Sequence, residues 1–280
     1  LRYQTVATRT HSPFTYCWNG RCTGIDMNFS SFTSSTEKFD HCYKNIISYL
    51  YEYDSFMESV GKVAGLGSDK ESLEMQWWAN ATTRDEQKLH LDIKCTVINN
   101  IENLNIKHKN ISLQRELFEN PSKAKKPFDI LWAYDVLQYV TNPYQVLANW
   151  WNIATTDSML VIAVPQTTNI EFNTQEYHAR INHKHHYTLP MLIYMLSVNG
   201  WDCKSGFFKK SINDPWLYAI VYRSDIKPMD PMTTNLYHIA EDTDLLPDCV
   251  VNSINKYALL RQRDLVLPWI DKNLTVMENH

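Results

Sequence analysis

Two short stretches of this chain hold residue types that chemistry uses. The first is Val63-Ala64-Gly65-Leu66-Gly67-Ser68-Asp69, a Gly-x-Gly that follows an apolar run and precedes a helical pattern from Leu73 to Trp78. Glycines at a strand-to-helix turn let the backbone approach a nucleotide-like ligand closely. An ordinary turn would read the same on these residues alone, so their surroundings must decide. The second is Tyr177-His178-Ala179-Arg180 with His183, His185, His186 and Tyr187. Histidine can serve as a general base near neutral pH, and tyrosine can orient an amine or hydroxyl nucleophile. A solvated loop is the alternative. The His-x-Lys-His-His spacing is irregular for a metal and brings no thiolates, so no metal site is expected.

The elements that position these residues follow from apolar periodicity. Lys62–Ala64, Lys94–Ile98, Ile111–Leu113, Phe128–Trp132 and Met159–Val164 read as strands, with helical segments between several of them. A parallel crossover needs a dozen or more connecting residues, so this alternation predicts an α/β fold: a doubly wound, mostly parallel sheet with helices on both faces. Leu189 to Val198 reads as a helix ended by Asn199-Gly200. Asp202–Lys209 and Trp216–Tyr222 read as two strands turning at Asn213-Asp214-Pro215, a C-terminal antiparallel hairpin that brings the sheet to seven strands. Upstream, Ser35-Thr36-Glu37 opens a helical pattern through Phe39, Tyr43, Ile46, Ile47, Leu50 and Phe56. The expected organisation is an irregular N-terminal extension over 1–35, one domain over 36–223, and a C-terminal extension over 224–280. That last segment is punctuated by Pro228, Pro231, Pro247 and Pro268, with helices near Thr233–Ala240 and Asp248–Arg263.

Bulk properties narrow the classes. At 280 residues and 44% hydrophobic the chain can bury a full core, and a net charge of −4 gives no basic footprint for nucleic acid. No apolar run reaches the roughly 18 residues of a membrane span. Leu1 to Pro13 lacks the apolar stretch of a signal peptide, so none is expected there. The six cysteines are scattered without a Cys-x-x-Cys pair, which favours reduced thiols in the cytoplasm or another reducing compartment. Sequons at Asn28, Asn80, Asn110 and Asn273 are of the number an Asn-rich chain generates by chance. Trp77-Trp78 and Trp150-Trp151 fall in helical patterns, where neighbours point about 100° apart, so core packing is expected, with at most one of each pair facing the sheet. Trp132 and Tyr134 end a strand, where open α/β sheets bind ligands. Only seven glycines occur, against roughly 20 at the average usage of about 7%. Folds that cradle nucleotides spend glycine on close backbone approach, so a deficit weakens a ligand loop before it weakens a core.

From about residue 40 to 223 the chain resembles the class I S-adenosylmethionine-dependent methyltransferases, in particular the methyltransferase-11-like branch. The resemblance rests on Phe128-Asp129-Ile130-Leu131-Trp132-Ala133-Tyr134-Asp135-Val136-Leu137-Gln138-Tyr139-Val140 with Asn142-Pro143 and the helix after it. Met159 to Pro165 and His186-Tyr187-Thr188-Leu189-Pro190 with Leu192, Leu196, Gly200 and Trp201 extend it. It implies a cofactor, S-adenosylmethionine, near Gly65, Gly67, Asn99 and Tyr134. It also implies an acceptor pocket near His185, His186, Tyr187 and Arg180, with metal-free methyl transfer to an N or O nucleophile of a small-molecule or protein acceptor.

Against that pattern the chain departs at several positions. Val63 stands where an acid usually precedes the loop, Asp69 replaces the third glycine, and Asn99 or Asn100 takes the position of the acid that accepts from the ribose. Gln114-Arg115-Glu116 stands where an acid often meets the adenine amine, and Thr155-Thr156-Asp157 replaces a glycine pair. An amide in place of a carboxylate still makes a hydrogen bond, but a neutral and weaker one. Two readings therefore stand: an active methyltransferase, or a catalytically degenerate methyltransferase fold kept as a structural or assembly subunit, with its terminal extensions as docking surfaces for a protein partner. A nicotinamide-dependent enzyme is disfavoured, because no full Gly-x-Gly-x-x-Gly follows the first strand and no acid ends the second.

Overall fold

The computed structural model describes residues 17–18, 21–22, 34–50, 57, 59–69, 71–82, 91–100, 106–122, 127–166, 183–210, 216–258, 260 and 265–270. A two-residue antiparallel ladder pairs Cys17–Trp18 with Arg21–Cys22. The body is a seven-stranded sheet of β1 (Lys62–Leu66), β2 (Lys94–Ile98), β3 (Ile111–Gln114), β4 (Phe128–Tyr134), β5 (Ala154–Pro165), β6 (Trp201–Lys210) and β7 (Trp216–Arg223). The spatial order is β3-β2-β1-β4-β5-β7-β6. Neighbours from β3 to β5 pair in parallel, while β7 runs antiparallel to both β5 and β6. The expected fold is the observed one, including the terminal hairpin.

Side chains alternate across the strands and build two apolar layers. Ala64, Leu66, Leu131, Ala133, Leu160 and Ile162 pack with α3 (Pro143–Ile153) and α4 (Leu189–Val198). Val63, Val97, Ile130, Trp132, Tyr134 and Val161 pack with α1 (Ser35–Cys42) and α2 (Leu73–Ala79). The helical pattern that begins at Ser35 passes after α1 into a π-helical turn, Tyr43–Ile47, and a short α-turn, Ser48–Leu50. Ser34 caps α1 by accepting from the Glu37 N–H at 3.1 Å, and Asn142 caps α3 ahead of Pro143.

Two expectations are corrected. The strand expected over Met159–Val164 begins five residues earlier, because Ala154 already pairs with Phe128 and the Thr155 hydroxyl donates to the Phe128 carbonyl at 3.1 Å. Trp150 and Trp151 are both buried. The Trp150 indole N–H donates to the Phe118 carbonyl at 2.7 Å, and the Arg223 guanidinium lies 3.8 Å from the Trp151 ring centroid. Cover from Arg223 at the end of β7 therefore does for Trp151 what helix phase alone would not.

The segment from 224 onward joins the first apolar layer. Ile239 of α5 (Leu236–Asp242), Val250 and Ile254 of α6 (Asp248–Tyr257), and Leu245, Leu246, Leu265 and Leu267 are buried with α3 and α4. It also covers the outer edge of β6: the Cys203 N–H donates to the Leu245 carbonyl at 3.0 Å and the Phe208 N–H to the Pro268 carbonyl at 2.9 Å. An unpaired strand edge invites pairing with another chain, and this segment closes it. The Lys209 ammonium beside it lies 5.3, 5.5 and 5.8 Å from the ring centroids of Tyr49, Tyr218 and Trp269, pinning the segment to both layers. Among the described residues Cys42, Cys95, Cys203 and Cys249 are free thiols, and no helix is long and apolar enough to cross a membrane.

α4 ends on Gly200, whose φ of +77° is the left-handed conformation. A Cβ there would stand 2.2 Å from the Ile226 carbonyl oxygen, backbone that cannot step aside. Gly200→Ala is expected to cost roughly 2 kcal/mol and to lower Tm by roughly 4–8 °C in calorimetry. An unchanged Tm would show that the 226 segment yields.

Candidate functional site

The strand order reverses between β1 and β4, and the crevice outside their carboxyl ends is where open α/β sheets bind ligands. β1 ends in Gly65-Leu66, and Gly67 turns the chain at φ +65° while its N–H donates to the Ile98 carbonyl at 3.0 Å. Asp69 then builds the entry to α2. One carboxylate oxygen accepts from the N–H groups of Glu71 at 3.1 Å and Ser72 at 2.6 Å, and the Ser72 hydroxyl donates back to the Asp69 carbonyl at 2.6 Å. A short acid thus does by hydrogen bonding what a third glycine would do by conformational freedom. At the end of β2, the Asn99 amide donates to the Ser68 carbonyl at 2.8 Å and its oxygen accepts from the Asn100 N–H at 2.7 Å. After β3, Glu116 takes the Ser122 N–H at 2.8 Å and the Ser122 hydroxyl at 2.6 Å on its two oxygens and also bonds the Gln114 amide.

These contacts test whether S-adenosylmethionine fits. A Cβ at Gly65 would meet the Ser68 hydroxyl at 2.5 Å and the Met75 side chain at 2.8 Å, so glycine here lets the loop and α2 pack closely on β1. At Gly67 it would meet Val136 at 2.8 Å and Phe118 at 3.4 Å. The amide in the ribose-acid position holds the loop, and the acid in the adenine position holds its own turn.

The crevice is sealed by α1. Lys38, 6% exposed, places its ammonium 3.3 Å from a carboxylate oxygen of Glu74, which is 1% exposed. Burial by itself would push the Lys38 pKa down, but the carboxylates of Glu74, then Asp69 and Asp135, outweigh it and hold the amine above the usual lysine range. Asp135 follows β4 at φ +61° and accepts from the Gln138 amide at 2.5 Å. One turn on from Lys38, the His41 ring lies between the hydroxyls of Tyr134, at 2.5 Å, and Tyr218, at 3.4 Å, with its centroid 5.4 Å from that of Trp216. Tyr134 stacks on Trp216 at 5.9 Å, and Trp132 meets Trp78 edge-on at 5.8 Å. The aromatic strand end at Trp132 and Tyr134 is covered by this chain's own helix.

The expected acceptor cluster lies against the turn after β4. The N–H groups of Lys184 and His185 donate to the Gln138 carbonyl at 2.8 and 3.3 Å. His183 Nε2 lies 3.2 Å from the Tyr139 hydroxyl, and His185 Nε2 lies 3.4 Å from the Thr141 carbonyl. Tyr187 is buried, donates its hydroxyl to the Leu137 carbonyl at 2.9 Å, and is held well above the usual phenol range by that burial, then by Tyr144. This bond ties the segment to the turn after β4. His186 is exposed. Tyr177, His178 and Arg180 lie outside the described residues.

Sequence reasoning missed Lys38, His41, Glu74, Trp216 and Tyr218. A signal existed for the first: Lys38 continues the buried line of Cys42 and Ile46 at four-residue spacing, where a helix phased on apolar residues alone has no use for an amine.

The strand order, the antiparallel last pair and the crevice over β1 and β4 define the class I methyltransferase fold. Consistent with this, the chain is similar to a chain from the complex between the Haloferax volcanii Trm112 methyltransferase activator and the putative methyltransferase. The TM-score is 0.50 at 8% identity, over 72% of this chain and 100% of that one. It is also similar to a putative S-adenosylmethionine-dependent methyltransferase from Listeria monocytogenes, with TM-score 0.49 and 11% identity over 69% of this chain and 100% of the other. N-methyltransferase NodS from Bradyrhizobium japonicum gives 0.47 and 11%, over 68% and 99%. No protein-family model and no curated protein matches the chain.

Asn99→Asp would restore an acid at the ribose position. Its carboxylate would face the Ser68 carbonyl without a proton to donate, so the variant is expected to lose about 1–3 kcal/mol in urea denaturation and to gain no affinity for S-adenosylmethionine. A variant of unchanged stability that binds the cofactor would show that the amide, not the filled cradle, is what excludes it.

Proposed function

We propose that this chain is a catalytically degenerate methyltransferase fold that serves as a structural or assembly subunit, its origin in the methyltransferase-11-like branch being part of the same proposal. The observation that supports the reading most directly is the close packing of the chain's own side chains on Gly65 and Gly67. On this reading Ser68, Met75 and Val136, drawn in against the two glycines, leave little room for a cofactor's methionine end. The polar groups at the ribose and adenine positions point the same way, since each is spent on the chain's own backbone. Two missing charge-assisted hydrogen bonds, at about 1.5–3 kcal/mol each, weaken binding by roughly 10²- to 10⁴-fold even before the steric cost. The Haloferax chain belongs to a two-protein complex. A methyltransferase-fold subunit held by a protein partner, through its terminal extensions, is the service proposed for this chain. Its free cysteines suit a reducing compartment.

The active reading, methyl transfer to an N or O nucleophile, keeps one observation in its favour: His186 is exposed, as a general base open to substrate would be. The decisive measurement is isothermal titration of the purified chain with S-adenosylmethionine and S-adenosylhomocysteine at near-millimolar ligand. No heat and no thermal shift with either is the expected result, and micromolar binding would overturn the degenerate reading.

A further inference from the structure

Among the described residues, the charged side chains buried from solvent are Lys38, Glu74 and Asp135, and all three sit in this one crevice. Elsewhere in the described fold charge stays at the surface. A lysine on a helix usually has the choice of extending its stem along apolar surface and keeping its ammonium in water. Here α1 turns it inward, onto a carboxylate 3.3 Å away. The pair also leaves capacity unused: the second oxygen of Glu74 is buried and meets no donor, although Glu74 itself is 1% exposed. One turn further along α2 the buried indole N–H of Trp78 likewise meets no acceptor. Carboxylates gathered in a dry crevice would be prohibitively costly without a cation among them. The cation is supplied from within the chain, by the element that also closes the site.

We propose that the crevice retains a binding subsite for a primary alkylammonium, built on the buried carboxylate of Glu74, and that its resident ligand is the Lys38 side chain delivered by α1. The inference rests on the closed-crevice reading above and adds the chemistry of the occupant. α1 is thereby a ligand as much as a helix. The neighbouring aromatic end of the crevice is filled by the next inward side chain of the same helix, His41, between Tyr134 and Tyr218.

The test is chemical rescue. Lys38→Ala leaves a gap shaped like a short alkylammonium, and its Tm is expected to fall by about 5–15 °C. n-Butylammonium chloride at tens of millimolar should restore part of that loss saturably, against equal sodium chloride and against butanol, and should leave the unmodified chain and Lys38→Ala/Glu74→Gln unmoved. If Lys38→Ala does not fold, Lys38→Met keeps the stem and removes the charge. It should melt below the unmodified chain, and Lys38→Met/Glu74→Gln should recover most of the difference. Equal Tm for Lys38→Met and the unmodified chain, or rescue by butanol as good as by butylammonium, would overturn the proposal. Its failure is separable from that of the degenerate reading, because cofactor binding by the unmodified chain is read by titration and alkylammonium rescue is read by melting of the variants.

Discussion

A parallel sheet is buried on both faces and must be covered on both. In this chain that requirement is what places every other feature. α3, α4 and the segment from 224 onward cover one face, and α1 and α2 cover the other. Because α1 is needed to bury Trp132, Tyr134 and Val161, it cannot stand clear of the crevice at the carboxyl ends of β1 and β4. The helix that completes the core therefore also closes the site, and it carries Lys38 and His41 in with it. The buried carboxylate on α2 receives its cation through the same packing that completes the apolar layer.

The ligand loop shows what becomes of a glycine cradle when side chains take over its work. Asp69 makes the turn by accepting two backbone N–H groups, Ser72 reinforces it, and Asn99 ties the loop to the end of β2. Each bond is worth only about 0.5–1.5 kcal/mol net, but all are satisfied internally. A loop built this way is stable without a ligand, whereas a glycine loop leaves N–H groups and space to be filled by one.

At the opposite edge, β6 would end the sheet with unpaired backbone groups. Backbone acceptors from Leu245 and Pro268 meet it, and Lys209 is held among Tyr49, Tyr218 and Trp269. The C-terminal segment thereby belongs to the core energetically, whatever partner its outer surface meets. Exposed Met232 and Tyr237 lie on that outer surface, and Tyr194 of α4 donates to the Thr234 carbonyl at 2.6 Å beneath it.

The sequence by itself determined the elements and their order, because apolar period and punctuation are local. The seven strands, the hairpin and α4 ending at Gly200 were all legible, as were the positions at which Asp69, Asn99 and Glu116 depart from a cofactor-binding pattern. What those departures accomplish was not legible. That Asn99 reaches Ser68, that Glu116 reaches Ser122, and that Val136 fills the space over Gly67 depend on how separate loops meet. Tyr187 read as a candidate nucleophile-orienting group, and only the turn at Leu137 makes it a buried latch. Lys38 and Glu74 lie in two different helices, with no local pattern to link them, and their pairing is decided by both helices docking on the same face of one sheet. Local periodicity says which side of a helix is buried, but which charge awaits it there is a property of the tertiary structure alone.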